Sequence, residues 1–464
     1  MVAEAEAPRT PPASLDEVHL SDLEFWTRPD AEREGAFELL RRRDPIRFFS
    51  QTRGRGYYAL TCYHDIVEAT RHPELFCSGE GVTIGDPDES VRELLFSILS
   101  MDDPRHAQLR RIVSQAFTPR SLERVRTSVE VVAAQIVDEI IERGECDFVT
   151  DVAARLPLLV VMDLMGIPRH EERLIFDCSS VITGPFDPDN VPDQAVEPVT
   201  AAVRTAVQEL TQLVAELATE RRADPRDDLI SVLVNATVED ECLSPQEVSS
   251  FFVLLVVAGN ETTRNAIAHG LVALTEHPAQ RATLLADLET VLPTAVEEII
   301  RWSSPVMHLR RTVTRDGVEL GGHSFAQGDK VVLWFNSANR DEAVFEHPYR
   351  FDVTRRPNDH LGFGGPGPHF CLGAHLARRE IAVMYTELLR RIPDIRAVGA
   401  PQRLRSNFSN GIKHLTAAFT PTRASSAAFR TLDVTRDTAR WPSCMRAAAI
   451  RTRARRGPST QGAN

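Results

Sequence analysis

The stretch that decides the fold is Phe363-Gly-Gly-Pro-Gly-Pro-His-Phe-Cys371-Leu-Gly373, which leads directly into an amphipathic helical pattern ending at Arg391. A helix N-terminus next to Cys371 favours a thiolate there, because backbone N–H groups and the helix dipole stabilise an anion. Glycines at 364, 365, 367 and 373 remove side chains, so a large planar ligand can lie against the backbone. A buried structural cysteine is the alternative for Cys371 taken alone, whereas the spacing of the whole loop favours a ligand-binding cysteine.

A second unusual stretch lies inside a long apolar helix. Ser244-Pro-Gln-Glu247 combines an N-cap, a first-turn proline and a capping-box glutamate, which predicts a helix over Pro245 to Glu276. A glycine and an acid–alcohol pair interrupt its apolar middle, as expected at a functional site. There Gly259 can open a groove for a diatomic ligand, Thr262 can hydrogen-bond dioxygen and Glu261 can relay protons. The alternative is a glycine kink with Glu261 on a solvated face.

Both stretches match one family. Gly367-x-His369-x-Cys371-x-Gly373 resembles the haem-binding loop of cytochrome P450 monooxygenases, and Ala258-Gly-Asn-Glu-Thr262 resembles their oxygen-activating motif. The resemblance implies a mainly α fold with a minor β-sheet region, in which a single large helical domain contains a long central helix. It also implies haem b (iron protoporphyrin IX) with Cys371 as its iron ligand, and O2 as co-substrate. The loop is one residue longer than the usual pattern, which gives Phe363 the position that shields the sulfur, with Gly365 and Gly373 as further haem-binding positions.

The resemblance assigns further charged residues. In the family, contacts to the haem propionates come from positions that match His106, Arg110, Arg311 and His369, and Arg310 competes for the assignment of Arg311. His106 and Arg110 lie i,i+4 on a helix begun by Asp102-Asp103-Pro104, where surface residues are the alternative. Glu298, Arg301 and Arg350 resemble the family's structural triad, although a surface ion pair is the default for an i,i+3 pair such as the first two.

Other segments resemble the actinobacterial branch that ω-hydroxylates methyl-branched lipids and sterol side chains. These segments are Val257–Ile267, Ser337–Glu342, His360–Gly365 and Asn410–His414. The implied reaction inserts one oxygen atom from O2 into an unactivated C–H bond, with a tailoring hydroxylase of a terpene or polyketide as the runner-up. A non-enzymatic haem sensor is the distant alternative. The pocket walls implied by this analogy are largely apolar and comprise Val82–Ser100, Val181–Val191, Leu254–Ala258, Ser303–Leu309 and Ser406–Gly411.

The sequence has no GxGxxG fingerprint, so electrons from NAD(P)H are expected through a separate ferredoxin and ferredoxin reductase. Arg111, Arg378 and Arg379 can receive an acidic redox partner or can be plain solvated charges. A net charge of −13 argues against a nucleic-acid partner. The chain shows no signal peptide and no apolar run that could form a membrane anchor, and its seven scattered cysteines suit a reducing compartment, so we expect a cytoplasmic monomer.

The predicted organisation has three parts: a disordered arm over 1–14, the cytochrome P450 domain over 15–421, and a disordered Arg/Ala/Ser-rich tail over 422–464. The tail contains nine Arg and two Asp, and translation from a shifted frame is an alternative origin for it. Helical periodicity predicts further long helices at Ser121–Arg143, Val196–Arg222 and Leu372–Arg391. Strands are predicted at Pro45–Phe49 and Tyr57–Tyr63, with more in Gly317–Phe335 and Leu404–Phe419.

Overall fold

The computed structural model describes residues 6–7, 9–51, 54–86, 97–114, 119–238 and 241–423. The predicted tail therefore lies outside the described residues from position 424 onward, and so do residues 87–96 of the predicted pocket wall Val82–Ser100.

Helices dominate the described part of the chain, as the sequence predicts. The longest, α9, runs over Pro245–Glu276 and begins with the predicted capping box of Ser244 and Glu247. The helices in chain order are α1 Asp30–Arg43, α2 Tyr63–Arg71, α3 Arg105–Ser114, α4 Pro119–Ile140, α5 Arg155–Met165, α6 Glu172–Thr183, α7 Val196–Ala223, α8 Leu229–Val234, α9, α10 Pro278–Ala286, α11 Leu288–Ser303, α12 Phe335–Ala338 and α13 Ala374–Arg391.

Helix α9 is the centre of the main core. It packs against α5, α6, α7, α11 and α13, so both faces of the helix meet protein over most of its length. Apolar side chains from these helices form one continuous core, to which α9 contributes Phe251, Phe252 and Leu271. An apolar helix of 32 residues is stable in a globular protein only when other elements cover it in this way.

The sheets are small and lie beside the helical core. The largest has the order β1-β2-β10-β7-β3, in which β2 and β10 are parallel and the other pairs are antiparallel. The strands are β1 Ile46–Phe49, β2 Tyr57–Leu60, β3 Phe76–Cys77, β4 Glu145–Asp147, β5 Thr237–Val238, β6 Glu241–Cys242, β7 His308–Val313, β8 Val318–Leu320, β9 His323–Phe325, β10 Lys330–Trp334, β11 Arg396–Ala397, β12 Gln402–Arg403, β13 Ile412–His414 and β14 Thr416–Ala418.

The arm predicted to be disordered packs against the domain in its described part. Ala7 N–H donates to Tyr349 O at 2.9 Å, and Thr10 N–H donates to Ala31 O at 2.9 Å. Arg9 also pairs with Glu38 of α1 at 2.8 Å. Long-range contacts of this kind order a polar, proline-rich segment whose composition alone predicts disorder.

Candidate functional site

The Cys371 loop is held at both ends by hydrogen bonds. Cys371 N–H donates to Phe363 O at 3.0 Å, and Phe370 N–H donates to Gly367 O at 3.2 Å. Helix α13 begins immediately after the loop with Gly373 as its N-cap. The Phe363 ring lies under the guanidinium of Arg378, whose central carbon is 4.4 Å from the ring centroid. The loop therefore presents the sulfur from a fixed backbone at a helix N-terminus.

Two of the loop glycines have a different role from the one predicted. A Cβ on Gly365 would lie 2.3 Å from Thr70 Oγ1, and a Cβ on Gly367 would lie 2.2 Å from Thr70 O. These glycines pack the loop onto the end of α2 and do not clear space for a ligand. A Cβ on Gly373 meets nothing within 4 Å, so that position alone among these three keeps the predicted open face.

The environment of the Cys371 thiol combines opposing effects. Burial raises its pKa, while a hydrogen bond from the backbone N–H of Gly373 and the guanidinium groups of Arg110 and Arg378 lower it. Burial has the largest effect, so the net pKa shift is upward and the helix terminus alone does not secure a thiolate. Cys371 is nevertheless one of the exposed residues of the loop.

The predicted oxygen-activating motif includes an exposed patch on helix α9. Ala258 and Gly259 are exposed, whereas Val256 and Asn260 on either side are buried. Thr262 lies one turn from Ala258 on the same face and donates its hydroxyl proton to Ala258 O at 2.9 Å. To hydrogen-bond dioxygen, which has no proton to donate, the hydroxyl would have to turn away from Ala258 O and donate to the ligand.

Glu261 points into the protein and not onto a solvated face. It is 2% exposed, pairs with Arg264, and accepts a hydrogen bond from Asn265 Nδ2 at 3.1 Å. Asn265 Nδ2 also donates to Ser409 Oγ at 3.1 Å. Burial excludes the solvated-face alternative and places the carboxylate in a polar network one residue from Thr262.

The four predicted propionate ligands come together in one cluster, in which His106 and Arg311 are buried and Arg110 and His369 are half-buried. The His106 and His369 ring centroids are 4.3 Å apart, and Ser78 Oγ lies 3.1 Å from His369 Nε2. Burial, Arg311, His106 and Arg110 together lower the pKa of His369 to about 3. Burial likewise lowers the pKa of Arg311 to about 10. We define His106, Arg110, Arg311 and His369 as the open cluster.

The structure distinguishes Arg311 from Arg310, the other candidate for the propionate-binding position. Arg310 Nη1 donates to Asp86 Oδ1 at 2.6 Å, and its Nη2 donates to Glu80 O at 3.0 Å. Adjacent residues of strand β7 point to opposite faces of the sheet, so Arg311 is on the face of the open cluster. Arg311 therefore holds the position that the sequence left open between the two.

The residues present fit a haem. His106 Nε2 is buried with no hydrogen-bond partner among the described residues, and the carboxylate of Asp103 lies 3.4 Å from the other ring nitrogen. Arg311 is 3% exposed and pairs with no carboxylate of the described residues, and such a buried cation is costly unless an anion compensates its charge. Two propionate carboxylates would supply that charge, Cys371 would supply a thiolate ligand, and the open face at Gly373 would leave room for the planar ring.

The predicted structural triad needs one correction. Glu298 accepts from Arg301 Nε and Nη2, both at 2.8 Å, and from Arg355 Nε at 3.1 and 3.2 Å. Arg350 pairs instead with Asp352, its neighbour two residues on, at 3.2 Å. Because a turn after Asp352 redirects the chain, Arg355 reaches the carboxylate and Arg350 does not. We define Glu298, Arg301 and Arg355 as the closed cluster.

Comparisons with known proteins agree with this geometry. A sequence model of the cytochrome P450 family matches residues 90–392, and the chain therefore belongs to the cytochrome P450 family. The family is that of haem-thiolate monooxygenases, which use O2. The described residues include no helix that is both long enough and apolar enough to cross a bilayer.

Individual relatives are similar over most of their length. A methyl-branched lipid omega-hydroxylase of Mycobacterium tuberculosis is 46% identical over 417 residues, which is 88% of this chain and 96% of the relative. A steroid C26-monooxygenase of Rhodococcus jostii is 39% identical over 363 residues, 77% of this chain and 74% of the relative. A Mycobacterium marinum cytochrome P450 solved in complex with pseudoionone is 41% identical, with a TM-score of 0.82 over 90% of this chain and 100% of the other.

Proposed function

We propose that this monooxygenase hydroxylates the terminal carbon of a methyl-branched lipid or of a sterol side chain. The observation that carries the proposal is the 46% identity that extends over 96% of a methyl-branched lipid omega-hydroxylase. The pocket walls support it. Two of the predicted wall segments are joined by a β-bridge between Val306 and Ser409 and by a hydrogen bond from Met307 N–H to Phe408 O at 2.8 Å. Leu254 and Leu255 add a half-buried apolar face from α9.

The residues of this chain have distinct roles in the reaction. Cys371 would hold the iron, and the open cluster would hold the propionates. When bound, the haem supplies the activation of O2 for insertion of one oxygen atom into a C–H bond. The Thr262 hydroxyl, which donates to Ala258 O at 2.9 Å, would turn to donate its hydrogen bond at the oxygen site. Glu261 is the neighbour of Thr262 in the chain, and its carboxylate, held by Arg264 and Asn265, would relay protons towards the oxygen site.

The substrate is tested by optical titration of the ferric enzyme with branched-chain lipids, sterols, terpenes and macrolides. We expect saturable Soret shifts with the lipids or sterols, followed by a terminally hydroxylated product in turnover with those ligands. Shifts and products confined to terpenes or macrolides would contradict the proposal and favour a tailoring hydroxylase. That alternative is supported by the 32% identity with a Bacillus subtilis bacillaene-synthase cytochrome P450.

A second test asks whether the Thr262 hydroxyl takes part in the chemistry. We expect Thr262→Ala to lower product formation by roughly 100-fold, the scale of a lost proton-transfer contribution, while Thr262→Ser retains most activity. The measurement is product formed per NAD(P)H consumed with a reconstituted electron-transfer chain. Unchanged coupled turnover in Thr262→Ala would show that the hydroxyl has no part in the chemistry.

Electrons are proposed to come from NAD(P)H through a ferredoxin reductase and a ferredoxin that docks in the cytoplasm near the Cys371 loop. Of the three predicted docking arginines, Arg378 pairs with Glu297 at 2.6 Å and Arg379 pairs with Glu130, so both charges are partly neutralised. Arg111 is exposed beside Arg110 and Gly367. Arg111→Glu should therefore slow reduction by ferredoxin more than Arg379→Glu does, and equal rates for both variants would refute this docking site.

A further inference from the structure

A cavity of about 100 Å³ lies between the N-terminal arm, the start of α1 and the C-terminal end of α11. Ala7 of the arm, Arg33 and Glu34 of α1, and Trp302 of α11 all line it. Neither Cys371 nor Thr262 lines this cavity, so it is distinct from the haem site. Its volume is well above the ~10–15 Å³ that a single water molecule needs.

Three buried polar atoms at this cavity have no hydrogen-bond partner among the residues that the structure describes. They are Nε of Arg33, Nε of Arg340 and Oδ1 of Asn336. The Arg33 residue is 9% exposed and the Arg340 residue 4% exposed, so bulk water does not satisfy them. A buried polar group left unpaired costs about 1–3 kcal/mol. Two orphan donors and one orphan acceptor around one space therefore indicate a polar occupant.

The charge at the cavity favours an anion. Arg33, Arg340 and Arg403 line it with only two carboxylates, Asp30 and Glu34. Asp30 pairs with both Arg33 and Arg403. Glu34 Oε1 lies 3.6 Å from Arg340 Nε, too far for a hydrogen bond. The two Nη atoms of Arg340 already donate to the carbonyls of Arg301 and Trp302, at 3.2 and 2.9 Å.

Two further observations agree with an anion. Burial lowers the pKa of Arg340 to about 10, so its neighbours do not fully compensate its charge. The N-terminus of α1, a 14-residue helix, reaches the cavity at Asp30 and Ala31 and has no side-chain cap.

We infer that the cavity binds one small oxyanion that carries a proton, with the chemistry of hydrogenphosphate. Its unprotonated oxygens would accept from Arg33 Nε and Arg340 Nε, and its hydroxyl would donate to Asn336 Oδ1. This pairing satisfies all three orphan atoms and neutralises the excess positive charge. The site stands apart from the proposed hydroxylation and does not depend on the identity of the substrate.

The test is calorimetric titration of the purified holoenzyme with inorganic phosphate, with sulfate and chloride at matched ionic strength. We expect one saturable phosphate site per chain and a rise in Tm, because a ligand of the native state stabilises it. Sulfate has no proton to donate near neutral pH and should bind at least about tenfold more weakly. The absence of saturable phosphate binding would overturn the inference and leave the cavity to water, and sulfate binding as tight as phosphate would overturn the requirement for a proton.

Variants locate the site. Arg33→Met removes one orphan donor and should weaken phosphate binding by at least about tenfold, as expected for a charged hydrogen bond. Arg42→Met is the matched control, because Arg42 lies on the same helix, is 64% exposed and pairs with Glu38 away from the cavity. Asn336→Asp, which places a carboxylate against the anion, provides a second variant should Arg33→Met fail to fold. Wild-type affinity in either cavity variant would contradict the assignment.

Discussion

The open and closed clusters both contain buried arginine, yet they differ in how far nearby carboxylates compensate its charge. In the closed cluster, Glu298 receives bonds from Arg301, Arg355 and the backbone N–H of Asp352 at 2.9 Å. Burial raises the pKa of Glu298, but Arg301 and Arg355 outweigh it and the net shift is downward. In the open cluster, no carboxylate of the described residues forms an ion pair with Arg311 or His369, and burial lowers both pKa values.

This difference separates a structural site from a ligand site. The remaining arginine donors of the closed cluster bind backbone carbonyls, such as Asn339 O and Pro348 O from Arg301 Nη1 at 2.8 and 2.9 Å. The open cluster keeps a buried nitrogen, His106 Nε2, that has no hydrogen-bond partner among the described residues. A satisfied buried network holds the fold together, whereas a buried network with unpaired polar groups is stable only when a ligand completes it.

The largest expected effect comes from breaking the closed cluster. Arg355→Met should lower the free energy of unfolding by about 3 kcal/mol, because it leaves a buried carboxylate with one guanidinium fewer. Arg350→Met, which removes only a partly exposed pair with Asp352, should cost no more than about 1 kcal/mol. Urea unfolding of both variants measures the difference. Equal losses in the free energy of unfolding would show that Arg350 belongs to the triad and would contradict the assignment of Arg355.

Removing a charge from the open cluster should act on haem binding and not on the fold. Arg311→Met should weaken haem retention by about 10- to 100-fold, the equivalent of one hydrogen bond to a charged group. Without haem the same variant should be as stable as the wild-type protein or more stable, because a poorly compensated buried cation is gone. The control is Arg310→Met, which loses the Asp86 contact. Comparable haem loss in both variants would contradict the distinction between the two arginines.

The smallest expected effect is on acid stability near the closed cluster. Burial raises the pKa of Glu297, but His360 and Arg378 outweigh it and lower the pKa to about 2 from an ordinary value of 4.5. A depressed carboxyl pKa stabilises the fold above the unfolded value, and this stability is lost as pH falls from about 4.5 towards 2. Because the side chain is partly exposed, the contribution is about 1 kcal/mol. Glu297→Gln should flatten the pH dependence of unfolding by that amount, and an unchanged profile would disprove the pairing.

Local patterns in the sequence predicted the elements that carry the chemistry. The capping box predicted the residue at which α9 begins. The observed helix agrees with the predicted range at both ends. Residue spacing in the loop placed Cys371 at the start of α13. These features depend on neighbours within a few residues, which the sequence shows directly.

Long-range contacts account for what the sequence did not show. Gly365 and Gly367 meet Thr70, about 300 positions away, and no local pattern indicates that packing. The resemblance assigned Arg350 to the triad, but a turn of the chain gives Arg355 the contact with Glu298. The choice between Arg310 and Arg311 depended on Asp86, which occupies one face of strand β7.

The assignment of Cys371 as the iron ligand is the central claim, and the ferrous–CO spectrum tests it most directly. The wild-type protein should give the absorption characteristic of a thiolate-ligated haem, and Cys371→Ser should lose it together with monooxygenase activity. Cys62→Ser, at a thiol outside the site, should leave the spectrum unchanged. A Cys371→Ser protein that keeps the thiolate-type spectrum would contradict the account.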